Sequence, residues 1–429
     1  MRRIRSFISY FIIVVGTLVI SKFVVNITIY STRYKMDDDL QYRHHLLNLR
    51  VRSVARRLAN DLHRVRNVLN EKDYLDTVIL VIACNRFEAL KEHLESLKNS
   101  NLNRSIKMTS YIFSLQGPKI PIIVSLDCND DAVRDIILNA GPNITLIENP
   151  NQSLFNLTKQ EKKYEGYYRI ARHYHFALDY VFSILGYQSA IITEDDLLLA
   201  PDFLEYMLAN KNLLFEDPTI WCISAWNDNG KKELIVKNNS LLHRTDFFPG
   251  LGWMLTSQLW EELRVKWPKT FWDDWMRDPA QRQGRACVRP EISRTGISLR
   301  GKKGVSKGLY YEKHLKHIIV NTDFYHFSQS DLSYLKKDYY DPAFRKIVLG
   351  AVPATLDEIL RGRFSNGTIL PENVRLFYVA SVDFKAFAKR FGVMDDFRSG
   401  ICRTCYHGVV SFRYGQHRVF LTPKEIQNI

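Results

Sequence analysis

From Asp76 onward the chain alternates two hydrophobic rhythms. Thr77–Ala83 is an unbroken β-rich apolar run, the pattern of a strand buried on both faces. Phe87 to about Lys98 then reads as helix. Ile120–Val124 predicts a second strand, the stretch near Ala132–Leu138 a helix, and Ile144–Glu148 a third strand. Tyr167–Leu185 predicts a long helix, Ser189–Thr193 a fourth strand, the residues from about Pro201 a helix, and Ile220–Ala225 a fifth strand. Strands alternating with helices predict an α/β fold with a parallel sheet and crossover connections. Ligands on such sheets sit at the carboxyl ends of strands, so the residues that follow each run matter most.

The pattern before Asp76 differs. Arg2, Arg3 and Arg5 precede an apolar run from Phe7 to Ile20, and Lys22 interrupts its continuation through Val25. With Lys22 snorkelling toward the headgroups, the run reaches the roughly 20 residues that a spanning helix needs. A cleaved signal peptide is the alternative, but no clear small-residue cleavage site follows the run. The arginines favour a cytoplasmic N-terminus, with the remainder of the chain in the lumen. Between about Met36 and Lys72, Leu47, Val51, Val54, Leu58, Leu62, Val65 and Leu69 form a helical stripe opposite a face rich in arginine. It reads as a solvated helical spacer first, and as a coiled-coil or lipid-facing stem second.

Composition adds three constraints. With 429 residues, 46% of them hydrophobic, the chain can bury a sizeable core. Its formal charge of +14 suits anionic partners, such as phosphate-bearing substrates or a membrane surface. No recognised nucleic-acid-binding module accompanies that charge, so no nucleic acid partner is expected. Six cysteines and seven Asn-x-Ser/Thr sequons are compatible with an oxidising, lumenal setting.

The strand ends carry the candidate chemistry. The first run ends in Cys84-Asn85-Arg86, the second leads to Asp127-Cys128, and the fourth ends in Glu194-Asp195-Asp196. On one sheet these ends converge, and the Cys84 and Cys128 thiols come within range of a disulfide. Three carboxylates at a strand end repel one another unless a cation neutralises them, and Mn²⁺ or Mg²⁺ fits that need. An acidic helix entry is the competing reading. Arg86 suits a diphosphate, although the local sequence alone favours a surface cation at a helix start. Asp127 suits the uracil imide N–H or a turn. His173, within the long helix, reads as packing more readily than as ligand contact.

Two later segments stand out. Phe271-Trp272-Asp273-Asp274-Trp275-Met276-Arg277 frames paired carboxylates with tryptophans, the makings of a sugar site with a general base. A helix-capping Asp pair beside core tryptophans is the alternative. Arg300-Gly301-Lys302-Lys303-Gly304-Val305-Ser306-Lys307-Gly308 combines glycine freedom with positive charge, as a lid over a diphosphate would. It reads equally as a basic solvent loop, and it lacks P-loop spacing.

Taken together, these segments resemble the N-acetylglucosaminyltransferase I family, the alpha-1,3-mannosyl-glycoprotein 2-beta-N-acetylglucosaminyltransferases. The likeness runs from about Asp76 to Thr422. It includes Val81–Cys84, Gly166–Tyr174, Glu194–Leu197, Ser224–Gly230, Arg244–Trp253, Trp272–Arg277, Gly284–Thr295, Phe384–Lys389 and Gly392–Asp396. The resemblance implies a GT-A-type, Rossmann-like nucleotide-sugar and catalytic domain over 73–320 and a smaller α+β C-terminal domain over 321–429. A tail and signal-anchor over 1–35 and a helical stem over 36–72 would precede them. It implies an inverting enzyme with UDP-GlcNAc as donor, Mn²⁺ as cofactor and a mannose-terminated N-glycan as acceptor. A single-pass type II Golgi membrane protein with a lumenal catalytic domain follows. A related transferase acting on O-linked mannose and a non-catalytic sugar-binding homologue are the alternatives.

Residue by residue, the likeness makes Asp273 the catalytic base and Asp196 the metal ligand. Asp195 and Glu194 lie at the nucleotide sugar, Arg86 at phosphate, Asp127 and His173 at uridine, and Ser306 on the closing loop, while the tryptophan framing of the Asp pair itself puts Trp272 at the sugar. It implies disulfides Cys84–Cys128 and Cys222–Cys287. Asn85 stands where the family motif has Asp. Cys402-x-x-Cys405 lies outside the family pattern; a local third disulfide is the preferred reading, with a zinc half-site or free thiols as alternatives.

Overall fold

A computed structural model of the chain describes residues 76–108, 120–150, 156–304, 308 and 310–425. All of them fall in one compact unit, Glu71–Ile429. The expected anchor (1–35) and stem (36–72) lie outside the described residues, as does Ser306. Among the described residues no helix is long and apolar enough to cross a membrane.

Strand β1 (Thr77–Ala83) is buried along its whole length, as its unbroken apolar run requires. Helix α1 (Phe87–Met108) follows it, then β2 (Ile122–Leu126), α2 (Asp131–Leu138) and β3 (Ile144–Glu148). The second strand sits two residues later than its apolar run predicts, because Pro121 lies just outside the ladder. Helix α3 (Glu165–Asp179) ends in a π-helical turn, Tyr180–Ile184, where one long helix was expected. Strand β4 (Ser189–Glu194), the short β5 (Leu197–Leu199), α4 (Phe203–Asn210) and β6 (Ile220–Ser224) complete the pattern visible in the sequence.

The sheet is mixed, not parallel throughout. Its eight strands run β3-β2-β1-β4-β8-β6-β9-β7. The first four are mutually parallel. Strand β8 (Trp253–Thr256) enters antiparallel to both β4 and β6, while β7 (Leu242–Thr245) runs antiparallel to β9 (Ala286–Pro290). The cause is local: Gly250, Leu251 and Gly252 all have positive φ, which reverses the chain just ahead of β8. A Cβ at Gly252 would stand 2.7 Å from the Thr295 side chain, so the turn also needs the missing side chain.

Two apolar layers sandwich the sheet. One face packs on Leu90, Leu94, Leu97, Phe203 and Met207, the other on Tyr174, Ala177, Leu178, Trp260 and Trp272. The C-terminal residues build a second sheet, β10-β11-β13-β12 (Val352–Pro353, Asn373–Tyr378, His417–Pro423, Val410–Tyr414), with its own core around Val374, Phe384, Val410 and Val419. Cys402 and Cys405 are buried in that core as free thiols, the Cys405 Sγ–H donating to the Cys402 carbonyl at 2.8 Å. The third disulfide preferred from spacing is therefore not formed: the short turn directs Cys405 onto backbone oxygen.

Candidate active site

The order β2-β1-β4 sets the three chemically marked strand ends side by side. Ala83 pairs with Leu126 and Ile82 with Glu194, so Arg86, Asp127 and the acidic triplet emerge at one edge. Cys84 and Cys128 are disulfide-bonded with Cα atoms 4.9 Å apart, tying the ends of β1 and β2 together. A second disulfide, Cys222–Cys287, staples the parallel neighbours β6 and β9.

The acidic triplet is not a helix entry. Glu194 closes β4, Asp195 and Asp196 form a turn, and β5 begins at Leu197. Asp195 is buried. Its Oδ2 accepts the Cys84 N–H at 3.2 Å, and its Oδ1 lies 2.8 Å from Arg86 Nη2. Arg86 Nη1 pairs with Asp196 Oδ2. Glu194 turns the other way and accepts the Tyr174 hydroxyl at 2.8 Å. Arg86 thus pairs with two of the three carboxylates. Burial, with the Asp196 charge second, pushes Glu194 up to about 7. Burial likewise lifts Asp195 to about 6 despite the opposing pull of Arg86.

Among the described residues no three His, Cys, Asp or Glu side chains converge as a closed metal cage. A hard divalent cation does not need one, since one or two carboxylates suffice beside phosphate oxygens and water. The residues fit such an ion in two respects. The triplet carries more buried negative charge than Arg86 neutralises. The backbone at Gly301 also lies against Asp196, where a Cβ would come within 2.6 Å of Oδ2. The Ser298 N–H donates to the Asp196 carbonyl at 2.9 Å, fastening the start of the basic loop to the acidic turn.

His173 is buried on α3, with Nε2 2.8 Å from Ser125 Oγ on β2. Burial pushes its pKa down to about 4, so it is a neutral imidazole at physiological pH. Asp127, two residues beyond Ser125, is 8% exposed, and its N–H donates to the Ala83 carbonyl at 3.4 Å. Asp130, not Asp127, caps α2 by accepting the Val133 N–H at 3.0 Å.

The tryptophan-framed segment forms a short helix, Trp272–Arg277. Phe271 precedes it in the left-handed region at φ 48°, a conformation uncommon for a bulky residue. Trp272 does not offer an open face to a sugar. It is 7% exposed, with ring centroids 4.2 Å from Tyr174, 5.8 Å from Trp267 and 5.9 Å from Trp253. What it does is anchor the carboxylates that follow. Arg277 Nη1 stands 2.9 Å from Asp273 Oδ2 and 2.8 Å from Asp274 Oδ1, while Arg398 Nη1 lies 3.4 Å from Asp274 Oδ2.

Tyr174 joins the two halves, its hydroxyl on Glu194 and its ring against Trp272. The sequence reading missed Tyr174, Arg277 and Arg398. Arg277 was within reach, because i,i+3 and i,i+4 partners on a helix face one another. Arg398 was not, since 124 residues separate it from Asp274.

The GNT-I family model matches residues 33–428. An alpha-1,3-mannosyl-glycoprotein 2-beta-N-acetylglucosaminyltransferase of Arabidopsis thaliana is 36% identical over 348 residues, covering 80% of this chain and 73% of that protein. Solved structures match more loosely. A mycobacterial protein aligns with 55% of this chain and 73% of its own, at 11% identity and a TM-score of 0.30. Glucosyl-3-phosphoglycerate synthase from Mycobacterium tuberculosis aligns with 43% of this chain and 58% of its own, at 12% identity and a TM-score of 0.25. Neither of these two bears on the site. The span of the family match and the identity to the plant relative establish that the chain belongs to the GNT-I family.

Proposed function

We propose that this chain is an inverting transferase that moves N-acetylglucosamine from UDP-GlcNAc to the 2-hydroxyl of the alpha-1,3-arm mannose of a high-mannose N-glycan, opening the route to hybrid and complex N-glycans. The observation that carries this reading is Tyr174, which touches both Glu194 at the acidic strand end and Trp272 beside Asp273. A donor-binding edge and a candidate base thereby share one wall, as a single displacement requires.

Arg86 and Asp127 flank the Cys84–Cys128 bridge, suited to the diphosphate and the uracil imide. His173, neutral and bonded to Ser125, lines the uridine side. Asp195 and Glu194 border the sugar end, and Asp196 is the proposed ligand for Mn²⁺. When bound, the ion would neutralise charge on the departing diphosphate. Asp273 takes the proton from the mannose hydroxyl. Arg277 holds one Asp273 oxygen, and Asp274 supplies a second counter-charge to that arginine. The basic loop after Ser298, with Ser306 beyond the described residues, closes the site against water.

Within the same proposal the GT-A-type nucleotide-sugar and catalytic domain spans 73–320 and the C-terminal domain 321–429. The segments 1–35 and 36–72 serve as signal-anchor and stem, so that the enzyme is a type II protein of the Golgi membrane. Incubation with UDP-GlcNAc, Mn²⁺ and a trimmed high-mannose glycan, followed by mass and linkage analysis, tests the reaction. The expected product gains one β1,2-linked N-acetylglucosamine. Release of UDP without glycan product, or a different linkage, would overturn it.

A further inference from the structure

The aromatic surface beside Asp273 is made by residues other than the tryptophan the motif suggests. Trp272 is turned into the core, and the left-handed turn at Phe271 sends its ring toward α3 instead. There Phe271 meets Tyr167 at 4.5 Å and Tyr164 at 5.4 Å between centroids. Tyr164 is 49% exposed, and Phe271 and Tyr167 are partly exposed, so three rings form an open cluster. A bulky residue held in the left-handed region is strained, and such strain gathers at functional sites.

The cluster's position along α3 defines what it can meet. Tyr167 and Tyr174 are seven residues apart, two turns, so they share a helix face about 10 Å apart. Tyr174 contacts Glu194 at the donor end. Tyr167 lies near Asp273 and also near Asp274, Tyr310 and Arg398. Burial, then the two carboxylates, raises the Tyr167 hydroxyl above its ordinary pKa and keeps it a hydrogen-bond donor. The order is therefore Glu194, Tyr174, Trp272, Asp273, then the aromatic cluster. A ring seated on the cluster lies beyond the base, away from the donor.

We propose that Tyr164, Tyr167 and Phe271 form an acceptor subsite that holds a second pyranose of the glycan, next along from the reacting mannose. Pyranose rings pair an apolar C–H face with hydroxyl edges. The cluster matches both, with ring faces for the first and the Tyr164 and Tyr167 hydroxyls for the second. The inference rests on the transferase reading above and adds what that reading leaves open, namely whether the site engages more of the glycan than the reacting mannose.

The test compares kcat/KM for a branched mannopentaose glycan with that for methyl α-mannoside, using the full chain and its Y164A and Y164F variants. The expected result is that Y164A lowers the ratio of the two values about tenfold, chiefly through the KM of the glycan. Y164F, which keeps the ring face, restores the ratio. An unchanged ratio in Y164A would overturn the subsite. A second readout, saturation transfer from protein to the glycan without donor, separates this claim from the reaction itself. If the parent protein transfers nothing, the reaction reading fails. The subsite then stands only if Y164A lowers saturation of the glycan's non-reacting rings, and equal saturation in both proteins overturns it.

Discussion

The Tyr174 hydroxyl donates to Glu194 Oε1 at 2.8 Å, while the same ring lies 4.2 Å from Trp272. One side chain thus satisfies a partly buried carboxylate and supports the helix that carries Asp273. Y174F separates the two roles, because it keeps the ring and removes the donor. Loss of one hydrogen bond to a charged group costs about 1.5–3 kcal/mol. Y174F is therefore expected to lower the unfolding free energy obtained from urea titration by that amount with the fold intact by circular dichroism, and to reduce transfer. Wild-type stability together with wild-type turnover would remove Tyr174 from the account.

Arg86 is the cation nearest the acidic triplet, paired with both Asp195 and Asp196. R86Q keeps a hydrogen-bonding side chain and removes the charge. A charge-assisted contact to phosphate implies a loss of about 10- to 100-fold in UDP-GlcNAc affinity. Calorimetric titration measures it, and uridine alone, lacking the diphosphate, should bind the variant and the parent alike.

The two disulfides differ in what they hold. Cys84–Cys128 closes 44 residues and Cys222–Cys287 closes 65. Removing either pair is expected to cost about 2–4 kcal/mol. Only the first joins the strand ends that carry Arg86 and Asp127. C84S/C128S should therefore weaken donor binding beyond its effect on stability, whereas C222S/C287S should change the melting temperature with donor affinity within about twofold, below the roughly tenfold that 1.4 kcal/mol represents. Equal losses of affinity would show that the bridges act only through global stability.

His93 gives the fold a defined pH dependence. Its Nδ1–H donates to the Leu197 carbonyl at 2.7 Å and its Nε2 lies 2.9 Å from Thr193 Oγ1, whose hydroxyl donates to the neutral ring. Burial pushes its pKa down to about 4, against about 6.5 in an unfolded chain. The unfolded state therefore binds the extra proton first as pH falls. Stability from this residue is complete above about 6.5 and declines toward pH 4 by about 1.4 kcal/mol per unit. The stability gap between wild type and H93Q should shrink by ~3 kcal/mol over that range. A gap independent of pH would contradict a neutral buried ring.

Much of this arrangement was legible because the first four strands are locally coded. Unbroken runs such as Thr77–Ala83 announce burial on both faces, and the polar residues that follow are the site. The antiparallel return of β8 was not legible, since it follows from positive φ at Gly250, Leu251 and Gly252 rather than from periodicity. Trp272 illustrates a second limit. Composition marks an aromatic beside Asp273, but only packing decides that Trp272 points inward while Phe271 and Tyr167 stay at the surface. Arg398 illustrates a third, because contacts that cross from the C-terminal segment to Asp274 leave no local trace.

The central claim is that Asp273 and the acidic strand end serve one reaction. The most direct measurement uses wild type and D273N, each incubated with UDP-GlcNAc, Mn²⁺ and a trimmed high-mannose glycan, with donor affinity determined in parallel. Removing a general base is expected to lower transfer about 10²- to 10⁴-fold. Donor affinity should stay within about twofold, since a 1.4 kcal/mol loss of donor contact would already cost tenfold. Wild-type rates of β1,2-linked product from D273N would contradict the account.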